Sequence, residues 1–259
     1  MKINYKKITR NCNSGLLKKK IFFASLIFLF CAYTVKEVSF TKIKYVAKNS
    51  VNVPEPSDIA FDKETRHLFI PSDNGILFEC DSLGKILRKA ETLGWDFEGV
   101  EIKDSAVFVS DESSRKIYKY NKKDLTIETV YSVPYCGGRN EGFESITYND
   151  SKKCFVLISE KNPVSIIELN ENFQIINQQI FEGSRDISSA RWFNGYMYLL
   201  SDEDRCILQC DPHTYKVKHV FKIDVINPEG ISFDNSGNVI IAADDIQHLY
   251  YFNPLSSTL

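Results

Sequence analysis

From residue 57 onward, the chain repeats one pattern of apolar and polar positions. Each unit has a short apolar stretch, a polar turn, a longer apolar stretch that ends at acidic residues, and a third apolar stretch that ends in Asp or Asn. Short apolar stretches bounded by turn residues are typical of β-strands, and no helical period persists beyond residue 35. Five such units align, and they begin at Ser57, Glu98, Glu144, Ser188 and Glu229.

The spacing of the units predicts the fold. They begin 41 to 46 residues apart, which is the length of a four-stranded propeller blade. We therefore predict an all-β, five-bladed β-propeller that forms one domain over residues 40–259. The fifth unit has room for only three strands. The alternating stretch from Ser39 to Asn49 is predicted to supply its missing outer strand, because closing the ring removes exposed strand edges.

The N-terminal segment has a different character. Residues 1–20 contain seven Lys or Arg residues and no acid, and the uncharged stretch IFFASLIFLFCAYTV follows from Ile21 to Val35. A basic flank before an apolar core indicates a membrane anchor or a secretory signal, assigned here to residues 21–36. As a helix this stretch spans about 22 Å, and snorkelling of Lys20 and Lys36 extends its reach towards the ~30 Å hydrocarbon core.

We predict that this segment is an uncleaved, single-pass transmembrane helix, with a cleaved signal as the alternative. The positive-inside rule then places the basic residues 1–20 in the cytoplasm and the propeller on the extracytoplasmic side. Lipidation at Cys31 is the least favoured reading, because Phe30 stands where a lipobox has a small residue.

Charge and cysteine content exclude some functions. The net charge is −2, so there is no electrostatic basis for binding nucleic acid. The seven cysteines include no C-x-x-C pair, and their spacing predicts neither a zinc site nor a redox motif. The 13 Tyr and 18 Phe suit a β-sheet protein, since aromatic side chains fit a pleated surface.

The order of the motifs resembles a known family. EGVEI, VSDE and KIYKYN are followed by EGFESITYN, LISEKNP and IIELN, and then by DISSARW, YLLSDE and NPEGISFD. This series is similar to the SdiA-regulated, YjiK-like family of bacterial proteins, over residues 40–259 and the N-terminal segment. The resemblance implies a five-bladed propeller in the bacterial envelope, on the periplasmic side of the cell membrane. It also implies a distant relation to NHL-repeat propellers, a calcium site and no settled biochemical activity.

Acidic residues recur at two positions of the repeat. The first strand of each blade lines the channel of a propeller, so the five residues that begin the units are expected to ring the channel mouth. The residues after each second strand are expected to form a wider ring on the same face, namely Asp73, Asp111, Glu160, Asp202 and Asp244. Crowded carboxylates either shift their pKa values or bind a cation.

A hard divalent cation suits this arrangement. Ca²⁺ takes six to eight oxygen ligands, and the absence of His and Cys at the matching positions argues against zinc. The predicted metal ligands are Glu98, Glu144, Glu229, Asp202 and Asp111. The alternative is structural: each acid accepts hydrogen bonds from neighbouring backbone N–H groups, and the small residue after it permits close packing of the blades.

Two functions follow from this arrangement. The first is a membrane-anchored binding or scaffold module that presents its acidic face to a small ligand or an envelope protein. The alternative is a calcium-dependent hydrolase, similar to lactonase and phosphotriesterase propellers, in which the metal polarises a carbonyl or phosphoryl oxygen. None of the four His residues is placed at the channel mouth by the repeat, so the binding module is favoured.

Overall fold

The computed structural model describes residues 38–91, 94–135, 142–159, 161, 163–244 and 246–257. These residues form five sheets, which are the blades of the predicted β-propeller. Two strands precede the first blade: β1 (Ser39–Lys42) and β2 (Ala47–Ser50). Blade one contains β3 (Ala60–Phe61), β4 (Leu68–Ser72), β5 (Ile76–Cys80) and β6 (Ile86–Lys89).

The next blades follow in chain order. Blade two contains β7 (Phe97–Lys103), β8 (Ala106–Asp111), β9 (Lys116–Asn121) and β10 (Ile127–Ser132). Blade three contains β11 (Ser145–Asn149), β12 (Cys154–Ser159), β13 (Ser165–Leu169) and β14 (Ile175–Ile180). Blade four contains β15 (Ser189–Phe193), β16 (Tyr196–Ser201), β17 (Cys206–Cys210) and β18 (Val217–Lys222). Blade five contains β19 (Pro228–Phe233), β20 (Val239–Ala243) and β21 (His248–Phe252), and a short 3-10 helix follows at Leu255–Ser257.

The stretch before blade one closes the ring in a different way from the prediction. Only β2 becomes the outer strand of blade five, antiparallel to β21. β1 instead runs parallel to β18 and adds a fifth strand to blade four. The chain turns between the two strands because Ile43 is buried between blades four and five, and a single straight strand would leave that side chain outside the core.

Hydrophobic cores lie between neighbouring blades. Five buried clusters are formed, and each combines residues of two adjacent blades. Every residue of β4, β8, β12 and β20 is buried, whereas the outer strands β10 and β14 are mostly exposed. Burial of both faces of each sheet explains why the second strands are continuous apolar runs in the sequence.

The predicted membrane segment lies outside the described residues. Residues 1–20 and 21–36 belong to this part of the chain, so the anchor and the orientation derived from it stay predictions. Within the described ranges, no helix has the length and apolar character needed to cross a membrane.

Candidate functional site

The strand register brings the starts of the inner strands and the ends of the second strands to one face. The backbone N–H of Asp73 donates to the carbonyl of Glu55 at 3.2 Å, and the N–H of Glu112 donates to the carbonyl of Asp96 at 2.9 Å. In each case a residue just before the inner strand touches the residue just after the second strand. The predicted crowding of acids around the channel mouth follows from these contacts.

The small residues after the acids permit the inner strands to approach one another. A Cβ atom added at Gly99 would lie 2.5 Å from the backbone nitrogen of Ile146, and one added at Gly230 would lie 2.7 Å from the carbonyl carbon of Asp58. These distances are far below a normal contact, so a larger residue would force neighbouring blades apart. The close packing of the inner strands therefore explains why glycine follows the acid in these units.

Blade two differs from the alignment of the sequence units by one residue. Asp111 pairs with Phe97, as Ala243 pairs with Pro228 in blade five. Glu112, not Asp111, therefore occupies the outer-ring position that Asp244 holds in blade five. The alignment matched the letters SDE in two units, but β8 runs one residue further than that match implies.

Asp111 is buried beneath the mouth instead of lying on its rim. Its side chain is fully buried, and its two carboxylate oxygens accept hydrogen bonds from the N–H groups of Trp95 at 3.0 Å and Ser114 at 2.9 Å. Asp111 thus has the role that the structural alternative assigned to the acids. Its metal role stays a prediction, with both oxygens already engaged.

Three carboxylates meet at the mouth. Asp96, Glu98 and Glu112 each place an oxygen within 4.8 Å of the others. A fourth acid joins them, because Glu144 hydrogen-bonds the side chain of Glu112 and lies close enough to Glu98 to raise its pKa. Glu112 also accepts a hydrogen bond from the N–H of Gly142 at 2.9 Å. We call Asp96, Glu98, Glu112 and Glu144 the acidic cluster.

Two members of the acidic cluster were not singled out from the sequence. Asp96 lies two residues before Glu98 in the stretch DFEGVEI, so its position in the repeat was a usable signal. Glu112 was hidden by the one-residue misalignment of blade two. Of the predicted ligands, the structure brings Glu98 and Glu144 together.

The other two predicted ligands lie in other blades. Glu229 is the second residue of β19. Asp202 follows β16, and its N–H donates to Asp186 at 2.8 Å. Asp186 also accepts hydrogen bonds from Ser201 and Glu203, so it organises the turn that holds Asp202.

Burial and mutual repulsion raise the pKa values of these acids. Burial, followed by the charges of Glu144, Asp73 and Asp96, raises the pKa of Glu98 well above its usual range. Burial and the charge of Asp96 also raise the pKa of Glu112.

Asp73 lies at the edge of the acidic cluster. The surrounding protein atoms and the charge of Asp244 raise the pKa of Asp73 to about 6, although its side chain keeps exposed surface. Together with Glu98 and Glu112, it makes the mouth a place where ionised carboxylates are disfavoured without a compensating positive charge.

A buried ion-pair network closes the channel below the mouth. Arg191 of β15 contacts Asp58 at 3.3 Å and Glu101 at 3.1 Å. Its remaining N–H groups donate to the carbonyls of Ile59, Val100 and Ile231. All five guanidinium donors are therefore used. We call Arg191, Asp58 and Glu101 the channel plug.

The partners of the plug are equally well satisfied. Asp58 accepts from the N–H groups of Ile59 and Val100 and from the hydroxyl of Ser189. Burial raises the pKa of Asp58 to about 6, whereas the charge of Arg191 acts in the opposite direction. The plug was not predicted from the sequence: Arg191 lies in β15, Glu101 lies in β7 and Asp58 precedes β3.

Comparison with known proteins agrees with this architecture. The family model described as SdiA-regulated matches residues 38–252. The chain belongs to the SdiA-regulated family. Among curated proteins, none matches this sequence.

Solved structures are similar to this SdiA-regulated family member in fold. A glutaminyl cyclase from Myxococcus xanthus has a TM-score of 0.67 at 15% identity, covering 83% of this chain and 97% of the other. A protein of unknown function from Bacteroides caccae has a TM-score of 0.52 at 14% identity, with 73% and 70% covered. The Cps50 (Swd1) β-propeller domain of Myceliophteria thermophila has a TM-score of 0.52 at 10% identity, with 80% and 99% covered. At these identities the likeness concerns the fold.

Proposed function

We propose that this propeller is a calcium-binding module whose acidic cluster holds one Ca²⁺ at the channel mouth. The observation that carries the proposal is the convergence of Asp96, Glu98 and Glu112 within 4.8 Å. Two oxygens bound to one calcium ion at about 2.4 Å lie at most about 4.8 Å apart, and the three carboxylate oxygens stay within this limit. Glu144 supplies a fourth carboxylate beside them.

The chemistry of the donors favours calcium over softer metals. The three converging residues offer only carboxylate oxygens, the ligands that hard cations take, whereas zinc and copper sites use His or Cys. A bound cation also removes the repulsion that raises the pKa of Glu98. Glu229 and Asp202 lie in other blades, and their role as ligands stays a prediction.

Calcium titration of the purified propeller tests this proposal. We expect Ca²⁺ to raise the melting temperature of the calcium-free protein and Mg²⁺ to do so less, because the site is built for a larger ion. Glu98→Gln and Glu112→Gln should each abolish the calcium-dependent increase. Glu171→Gln, an exposed acid away from the acidic cluster, is the matched control and should keep it. Equal melting temperatures with calcium and with chelator would rule out the site.

The proposal also concerns the location of the binding module in the cell. We propose that residues 21–36 anchor the chain in a bacterial cell membrane and that the propeller faces the periplasm. The support is the basic flank before an uncharged stretch in the sequence. The full chain should sediment with membranes and resist carbonate extraction, whereas a chain beginning at Val38 should be released.

A catalytic role is the second candidate. It is favoured by the hydrogen bond between Glu112 and Glu144, because two carboxyls that share a proton provide an acid and a base beside the proposed cation. The solved structure of similar fold that is named a glutaminyl cyclase also makes an enzyme on this scaffold a reasonable test. Calcium-dependent hydrolysis of lactones and phosphotriesters, lost in Glu144→Gln, would support this role. Intact calcium binding without turnover would support the binding module.

A further inference from the structure

A second concave surface lies at the opposite end of the channel from the acidic cluster. It is a cavity of about 550 Å³, bordered by the turns that join the first and second strands of several blades. The channel plug separates it from the mouth, since Arg191 and Glu101 form part of its floor. A volume of this size falls within the range of about 300–1,000 Å³ that small-molecule sites have.

The floor of this cavity is rigid and electrostatically complete. Arg191 donates all of its N–H groups to protein oxygens. Glu101 accepts from the hydroxyl of Thr147 at 2.7 Å and from the N–H of Tyr148 at 2.9 Å. The polar groups of the floor are therefore already engaged within the protein. A ligand would be recognised by the side chains of the walls and the rim.

Aromatic rings form much of the wall. Phe61, Trp192 and Phe193 line the cavity and keep exposed surface. Phe193 stacks on Phe233 with ring centroids 4.3 Å apart and planes 4° apart, which fixes the orientation of its ring. Partly exposed aromatic faces held in place by packing suit a flat apolar group of a ligand.

One lysine of the rim differs from the others. Lys103 is paired with Asp104, Lys122 with Asp62 and Glu64, and Lys153 with Asp150. Among the described residues that line the cavity, Lys63 is the only lysine that forms no ion pair with a carboxylate. Its ammonium group lies 5.8 Å from the centroid of the Phe193 ring. An exposed ammonium group without a carboxylate partner therefore lies over a ring of the aromatic wall.

We propose that this cavity binds a small organic anion with a planar apolar group, of the aromatic carboxylate class. The carboxylate pairs with the ammonium group of Lys63, and the ring lies against Phe193 and Trp192. This site is independent of the calcium proposal, because it lies beyond the channel plug and uses none of the acidic cluster.

The two tryptophans of the chain provide separate probes of the two ends. Trp192 lines the cavity, whereas Trp95 is 79% exposed and precedes Asp96 of the acidic cluster. Trp95→Phe leaves Trp192 as the single tryptophan of the chain. In this variant, titration with phenylacetate should change the fluorescence of Trp192 in a saturable way.

Substitution on the rim tests the role of the charge. In the Trp95→Phe background, Lys63→Gln should weaken phenylacetate binding about tenfold, the effect of losing one charge-assisted contact. Lys153→Gln is the matched control, since that lysine borders the same cavity but is paired with Asp150, and it should bind like the parent. 2-Phenylethylamine has a similar ring and the opposite charge, so it should leave the fluorescence unchanged.

Three results would overturn the proposal. They are an unchanged Trp192 signal at millimolar phenylacetate, parental affinity in Lys63→Gln, and equal binding of the amine. Thermal melts establish that each variant is folded, and Lys63→Ala provides a second substitution should Lys63→Gln fail to fold.

Discussion

At the scale of single residues, the acids at the mouth connect pH with stability. Burial and repulsion raise the pKa of Asp73 from 3.8 to about 6, and the pKa of Glu98 lies well above its usual range. Between the ordinary and the raised pKa, the folded chain binds more protons than the unfolded chain. The free energy of unfolding of the calcium-free protein therefore falls as pH rises through this window.

This sign gives a testable pH dependence. The melting temperature in calcium-free buffer should contain a component that decreases from about pH 4 to beyond pH 6, as these carboxylates lose their protons. Calcium binds the ionised form, so the increase that it causes should grow over the same range. Glu98→Gln should flatten the calcium-free curve. A curve with the same slope in Glu98→Gln and the parent would contradict this account.

Arg191 should be far more sensitive to substitution than the lysines of the rim. Arg191→Met leaves the buried Asp58 and the partly buried Glu101 without their shared cation, and breaking a buried pair typically costs about 3–5 kcal/mol. Urea denaturation should report a loss of this size. Lys153→Met, at a mostly exposed position, is the control and should change stability little.

A double variant separates the charge effect from the packing effect. If the cost of Arg191→Met comes from the uncompensated charge of Asp58, then adding Asp58→Asn should recover part of the lost stability. Additive losses in the double variant would show that the guanidinium acts mainly through its shape and its hydrogen bonds to carbonyls.

Residues of the site could be predicted from the sequence only where the repeat was regular. Glu98 and Glu144 occupy equivalent positions in neighbouring blades, and the structure brings them together. Asp111 was assigned to the outer ring because two units share the sequence SDE. The hydrogen-bond register depends on how the strands pair, and a shared sequence motif does not determine it. Arg191 was missed because its partners come from blades one and two, far away in sequence.

At the scale of elements, the two strands before blade one have different tasks. β2 completes blade five by pairing with β21, so it joins the beginning of the propeller to its end. β1 covers the edge of blade four, where Thr41 hydrogen-bonds His219 at 2.8 Å. The first contact closes the ring, whereas the second only extends a sheet that is already complete.

Truncation distinguishes these tasks. A chain that begins at Ile43 lacks β1 but keeps β2, and it should elute like a chain that begins at Val38, with a melting temperature a few degrees lower. A chain that begins at Val51 lacks both strands and exposes the edge of β21, which invites intermolecular pairing. It should aggregate or elute as larger species in size-exclusion chromatography. Similar behaviour of the two chains would mean that β2 does not close the ring.

Element prediction succeeded for the blades and was confirmed only in part at their junction, where β2 but not β1 completes blade five. The second strands are nearly continuous apolar runs because both of their faces are buried, so the sequence pattern identifies them directly. The stretch from Ser39 to Asn49 alternates without interruption and was interpreted as one strand. Its division depends on the burial of Ile43 between blades four and five, a tertiary effect that local alternation does not encode.

At the scale of the whole molecule, the channel plug divides the axis into two separate compartments. The acidic cluster lies on one side of the plug, and the cavity with the aromatic wall lies on the other. Within the plug, Arg191 contacts Asp58 and Glu101 directly. Energetic coupling between two sites requires an element with two arrangements that both ligands bias. The plug has every donor satisfied in one arrangement, so it is expected to insulate the two ends from each other.

Insulation can be measured with the same single-tryptophan variant. In Trp95→Phe, the affinity for phenylacetate, followed by the fluorescence of Trp192, should be the same in calcium and in chelator within about twofold. A coupling free energy near zero leaves the affinity for each ligand unchanged. By linkage, phenylacetate should not alter the calcium affinity of the same Trp95→Phe variant, measured by isothermal titration calorimetry. Arg191→Met should remove the insulation, because Asp58 and Glu101 then lose the cation that holds them in place. A strong mutual effect in the parent protein, already present before that substitution, would show that the plug transmits between the two ends.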